Sequence, residues 1–246
     1  QDECFRSLET SSSQEVTQSK KRNIELLIKE FNRQNNLDPK LVESLAKAKS
    51  KGYESWQEAK KKSDFKIFLP FFEELIKLRI EEANQISDKF TPWETLAQPF
   101  EPDLTLKWLN NIFLPLKEII PSLLGDLKKS EKYRWDLSPK SQQNLCSKLL
   151  DEFGRDEDLV VVAKSPHPFS ITLGPEDYRI TTRIVEGEPF SSFLATAHEW
   201  GHSIYEQGLP SQSHQWFAWP LGQATSMGVH ESQSLFWENR IVKSKS

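Results

Sequence analysis

At 246 residues the chain is long enough for one large domain or two small ones around a buried core. Its 37% hydrophobic and 28% charged residues describe a globular chain, and a net charge of -4 gives no reason to expect nucleic acid or an anionic membrane as a partner. Cys4 and Cys146 are too few for a disulfide framework and point to a reducing cytoplasm.

The chain opens Gln1-Asp2-Glu3-Cys4, with neither a basic nor an apolar leader segment, and it contains no apolar run of membrane-spanning length. Starting without Met, it reads as a processed chain or a fragment. The Ser-rich Thr10 to Gln14 stretch reads as a frayed end.

The first half is read as successive helices. Ile24, Leu27, Ile28 and Phe31 recur at helical spacing, and Asp38-Pro39 supplies an N-cap and a first-turn proline for the next helix. A long amphipathic segment with Phe68, Phe71, Leu75 and Leu78 on one face starts near Asp64. From Asp103 to about Lys129, Leu106, Leu109, Phe113, Leu116 and Ile120 continue the pattern, and Pro115 and Pro121 are expected to bend or split that helix. Ser138-Pro139 starts one more helix, stopped at Gly154. The basic runs Lys20 to Arg22, Lys47 to Lys51 and Lys60 to Lys62 are interrupted by acidic residues and read as solvated faces. The eight Trp are expected mainly in cores and helix contacts.

Between Asp158 and Glu186 the period changes to that of strands. Leu159 to Val162 is a β-branched run, Phe169 to Leu173 a second, and Asp177 to Ile184 alternates cleanly after a Gly174-Pro175 turn. Tyr178, Ile180, Thr182 and Ile184 take one face of the third run and Asp177, Arg179, Thr181 and Arg183 the other. An antiparallel strand with a solvated face fits this pattern; an edge strand that pairs with an extended peptide is the functional alternative.

The apolar helical run that follows contains His198-Glu199-Trp200-Gly201-His202. Two imidazoles four residues apart lie one turn from each other on one side of a helix, which suits two ligands of a single tetrahedral metal such as zinc. Glu199 projects toward the same side and can take a proton from a water that the metal acidifies.

A third ligand is required. Glu206 lies about 12 Å further along the helix axis than His198, too far for the same ion. No third His follows at the spacing of the extended pattern HExxHxxGxxH, since Tyr205 and Gly208 stand at its Gly and His positions. His214 falls in a loop without inferable geometry. Thr225 to Asn239 reads as a second helix, in which Glu231 is the best third ligand and Glu238, two turns on, the less favoured one; His230 would point into or near the site.

The ordered set His167-Pro168-Phe169, Asp177-Tyr178-Arg179-Ile180-Thr181, His198 to His202, and His230-Glu231-Ser232-Gln233 with Phe236 to Asn239 resembles the carboxypeptidase Taq family of metallocarboxypeptidases. The resemblance implies a mainly α, multi-helical, zincin-like fold with a small antiparallel β-sheet beside the active-site helix. It implies zinc, with another divalent cation such as Co2+ as a substitute, and peptide substrates with a free C-terminus from which single residues are removed. It also implies a cytosolic homodimer at full length. Carried over, His198, His202 and Glu231 are metal ligands and Glu199 is the catalytic base, while His167, Asp177, Arg179 and His230 lie near the cleft in substrate-binding or supporting roles.

Family members are longer, with an arginine for the substrate carboxylate and a further His motif beyond the second helix. The expectation is therefore a single incomplete metallopeptidase domain over 1–246, helical over 1–154 and carrying the sheet and metal-binding helices over 155–246. Two alternatives stand beside a carboxypeptidase: a non-catalytic helical fragment or metal binder lacking the substrate-recognition half, and an endopeptidase or aminopeptidase built on HExxH.

Overall fold

The computed structural model describes residues 17–125, 127 and 136–244. Cys4, the opening Gln1 to Cys4 segment, the Thr10 to Gln14 stretch and the helix end expected near Lys129 lie outside the described residues. The chain divides into two compact units, Gln1–Glu118 and Ile119–Ser246. No helix among the described residues is long and apolar enough to cross a membrane.

The first unit is helical. α1 spans Gln18–Asn35 and α2 Pro39–Lys62, where the Asp38 carboxylate accepts from the Lys40 backbone N–H and Pro39 occupies the first turn, as the sequence expects. α2 ends on Ser63, which takes a left-handed conformation (φ 53°). The amphipathic segment near Asp64 begins as a 3-10 turn, Phe65–Ile67, capped by Asp64, before α3 runs over Leu69–Ile86.

α2 packs on α3 through Leu41, Leu45, Ala48, Gly52, Ser55 and Ala59, buried every three or four residues, with Ala83 fully buried on α3. α4 (Pro92–Ala97) starts with a full capping box between Thr91 and Glu94. α5 then spans Leu106–Gly125 without interruption, starting in the first unit and ending in the second, so Pro115 and Pro121 do not split it. None of its residues is buried. Each proline costs one backbone bond, and on an exposed helix water can satisfy the carbonyl left behind.

The second unit carries a sheet and the helix that bears the two histidines. α6 (Pro139–Glu152) is capped by Ser138 and stops at Gly154, whose φ of 81° only glycine adopts readily. The strands are β1 (Val160–Lys164), β2 (Phe169–Gly174) and β3 (Asp177–Thr182), ordered β1-β3-β2. A small sheet in a mostly helical fold is as expected, but its pairing is mixed: β2 is antiparallel to β3 and β1 is parallel to it.

The cause lies in Ser165-Pro166-His167-Pro168, where two prolines rule out a tight hairpin and carry the chain across two strand spacings, about 9–10 Å. β3 fills the gap. Thr181 bonds Ser165 Oγ (2.7 Å) and accepts from the Phe169 backbone N–H (2.9 Å). β3 is therefore central, not an edge strand open to a peptide, and Thr181 on its polar face is buried.

α7 spans Pro189–Gln207 and packs against α6, β2 and β3. Leu150, Val160, Ile180 and Trp200, all at 1% exposure or less, form the core between these elements. A buried polar chain runs beside it: Gln142 Nε2 donates to the Val185 carbonyl, Ser192 Oγ donates to Gln142 Oε1, and Thr182 Oγ1 donates to the Ser192 carbonyl. These bonds fix α6, β3 and α7 in register, because a buried polar group left unpaired costs more than an apolar one. Of the tryptophans, Trp200 is core, whereas Trp93, Trp108 and Trp219 are exposed. Cys146 is a buried free thiol.

Candidate metal centre

The second functional helix, α8, runs Met227–Leu235, capped by Ser226 Oγ on the Val229 N–H, and continues as a π-helical stretch, Phe236–Val242. α7 and α8 touch at Gly201 and Ser234: a Cβ on Gly201 would sit 2.5 Å from the Ser234 Cα and 2.6 Å from the Gln233 carbonyl oxygen. Gly201 is thus the point at which the backbones approach, and Ser234 is completely buried beneath it. One turn back along α8, the contact delivers Glu231 to the two histidines.

His198, His202 and Glu231 each offer an atom to a cluster in which all three lie within 4.8 Å of one another. Glu231 Oε1 is 3.7 Å from His198 Nε2, and Oε2 is 3.3 Å from His202 Nε2. Ligand bonds of about 2.0–2.1 Å in a tetrahedron need ligand–ligand edges of about 3.3–3.4 Å, so the three side chains would draw together slightly about an ion, and the two-nitrogen, one-oxygen donor set suits zinc.

The far sides of both rings are held. His198 Nδ1 lies 3.1 Å from Glu238 Oε2, and Lys243 Nζ donates to Glu238 Oε1 at 2.6 Å. Partial burial works to raise the Glu238 pKa, but the Lys243 and His198 hydrogen bonds outweigh it and hold the carboxyl below its usual range. An ionised Glu238 accepts only, so His198 carries its proton on Nδ1 and turns the Nε2 lone pair into the cluster. His202 Nδ1 faces His230 Nδ1 at 2.6 Å, and His230 Nε2 faces Glu206 Oε1 at 2.8 Å.

Burial shapes the titration of the central groups. Desolvation pushes the Glu199 carboxyl up to about 7; His198 opposes that shift and Glu231 adds to it. Desolvation, with the neighbouring His230 and His198, lowers His202 to about 4, so its ring is neutral and its lone pair free near neutral pH.

The other expected residues are distributed unevenly. His230 is brought to the cluster, on the back of His202. Asp177 and Arg179 pair with each other on β3 through two bonds, at 2.8 and 3.0 Å, and both are partly exposed. The His167 side chain is exposed, and its carbonyl accepts from Ser165 Oγ. Glu238, the less favoured third ligand, stands behind His198 instead of inside the cluster. His214 accepts a bond from the Trp216 N–H within its own loop. Sequence reasoning set Glu206 aside as too distant to be a ligand and assigned Lys243 no role. Glu206 does share the stripe of His198 and His202, four residues beyond the second, which was the available signal.

A family profile described as carboxypeptidase Taq (M32) metallopeptidase matches residues 2–246. The chain belongs to this family. Carboxypeptidase 1 of Bacillus subtilis is 33% identical over 237 residues, 94% of this chain and 47% of that protein. Thermostable carboxypeptidase 1 of Thermus thermophilus is 33% identical over 231 residues, 87% of this chain and 44% of that one. Among solved structures, the BsuCP crystal structure superposes with a TM-score of 0.87 at 31% identity, covering 99% of this chain and 49% of that one. Trypanosoma cruzi metallocarboxypeptidase 1 superposes at 0.81 with 30% identity, covering 98% and 49%. The chain spans about half the length of the carboxypeptidase Taq relatives it matches.

Proposed function

We propose that this chain is the metal-binding part of a zinc-dependent metallocarboxypeptidase that removes the C-terminal residue of peptides. The observation that carries the reading is the convergence of His198, His202 and Glu231 beside a buried Glu199 in a member of this family. Family membership supports a divalent metal, and the donor set supports zinc among divalent ions, with Co2+ as a substitute.

In this reading the three side chains hold the ion and Glu199 handles the proton. When bound, the metal supplies a Lewis acid that polarises the scissile carbonyl and acidifies water. Glu199, whose carboxyl burial holds above the usual range in the metal-free chain, is placed to take a proton from water and return it to the leaving amine. Glu238 and Lys243 keep His198 oriented. We assign Asp177, Arg179 and His167 to the cleft border as substrate-contacting or supporting residues. We also read the two units as parts of one incomplete metallopeptidase domain, acting in the cytoplasm as a homodimer at full length.

The test is zinc analysis of the purified chain, followed by turnover of a blocked dipeptide with a free C-terminus and of its C-terminal amide. The expected result is one zinc per chain and cleavage of the free form only. Equal cleavage of the amide assigns an endopeptidase. Zinc without turnover assigns a metal binder. Glu199→Gln is expected to keep the zinc and lose about a hundred- to ten-thousand-fold in turnover.

A further inference from the structure

His202 and His230 meet through their Nδ1 atoms, 2.6 Å apart. Such a contact is attractive only if one ring donates and the other accepts, and the two choices have opposite consequences. If His202 donates, its Nε2 keeps a lone pair directed to the Glu231 side. If His230 donates, neutral His202 must carry its proton on Nε2, where it faces Glu231 at 3.3 Å and cannot ligate.

The choice is not made by these two rings alone. The opposite nitrogen of His230 lies 2.8 Å from Glu206 Oε1. A carboxylate has no proton to give, so a neutral His230 places its single proton on Nε2 and leaves Nδ1 as an acceptor. His202 must then donate from Nδ1. The three residues come from α7 and α8, and half-burial of each limits competition from water.

We propose that Glu206 is a positioning residue: through His230, it sets His202 in the Nδ1–H tautomer that presents Nε2 to a metal. The proposal rests on the zinc reading for its consequence, but the tautomer order is a property of the metal-free chain. His198 is held differently, by Glu238 in direct contact, so the two histidines of one motif are oriented by separate carboxylates, one at first hand and one through a third ring.

The test is 15N imidazole NMR of the metal-free, full 246-residue chain, which reads the protonated nitrogen of each ring, alongside zinc affinity by competition with a chelator. The wild type is expected to show His202 as Nδ1–H and His230 as Nε2–H. In Glu206→Ala, both rings are expected to lose that preference, and zinc affinity to fall by about 10–100-fold. Glu206→Gln keeps an acceptor oxygen and is expected to fall between the two, which preserves the test if the alanine variant fails to fold. Glu176→Ala, an exposed neighbour, is expected to leave both readouts unchanged. A wild-type His202 protonated on Nε2, or unchanged tautomers in both Glu206 variants, overturns the proposal. If the wild type shows the expected tautomers but binds no zinc, the metal reading fails and the relay stands.

Discussion

Within each unit of the chain a different kind of side-chain bond prevails. In the first, side-chain pairs are mostly local: Arg33 with Glu30, Lys47 with Glu43 and Lys62 with Glu58 are three or four residues apart on one helix. In the second, the side-chain bonds that matter join distant residues: Gln142 with Ser192, His198 with Glu238, and His202 with His230. Both units leave large apolar side chains exposed, such as Phe65 and Trp108 in the first and Leu173 and Phe190 in the second, and both bury a core, Leu41, Leu45 and Ala83 in the first and Leu150, Ile180 and Trp200 in the second. Local pairs make helices and long-range bonds make a site, so substitutions in the second unit should reach the candidate metal centre and surface changes in the first should not.

The largest expected effect on stability comes from the Glu199 carboxyl. Its folded pKa, about 7, lies above the ordinary carboxyl value of 4.5, so its contribution is fully present below pH 4.5 and is lost as pH rises through 7. Relative to Glu199→Gln, the metal-free wild type should therefore lose up to about 3 kcal/mol between those limits, then run parallel above pH 7. His202 works the opposite way, contributing above pH 6.5 and losing that contribution as pH falls through about 4. Because both chains contain it, the difference between their unfolding curves isolates Glu199. A difference that is flat with pH contradicts its buried placement.

Next is the contact between the two functional helices. Gly201→Ala places a methyl group against the backbone of Ser234 and Gln233, so α8 must shift. The expected loss is about 1–3 kcal/mol in chemical denaturation, with weakened zinc binding because Glu231 moves with the helix. An unchanged zinc affinity would show that the two helices do not set the ligand spacing.

The smallest effect is assigned to the first unit. Trp108→Ser on α5, at a side chain 56% exposed, should change stability by less than about 0.5 kcal/mol and leave zinc affinity unchanged. A larger loss would break the contrast between the units by revealing that α5 is packed.

What could be read in advance follows the same division. Helix starts at Pro39 and Pro139 were legible because Asp38 and Ser138 cap them by contacts within a few residues. His198, Glu199 and His202 were legible because one turn of helix fixes their relation. Glu231 was reachable by eliminating alternatives, but its approach depends on Gly201 meeting Ser234, which no local pattern reveals. The parallel pairing of β1 depends on a proline-bearing crossover that an alternating pattern cannot specify. Glu206 stands outside the cluster of His198, His202 and Glu231, and its bond to His230 depends on α8 being in place. The continuity of α5 through Pro115 and Pro121 was missed because an exposed helix tolerates the lost bonds.

We propose that Glu231, and not Glu238, completes the candidate metal site. Zinc affinity of the wild type, Glu231→Ala and Glu238→Ala, measured by chelator competition at one pH, tests it most directly. The expected result is one zinc per wild-type chain, a loss of about 10–100-fold for Glu238→Ala through a loosened His198, and a greater loss for Glu231→Ala. Zinc retained at wild-type affinity in Glu231→Ala contradicts it.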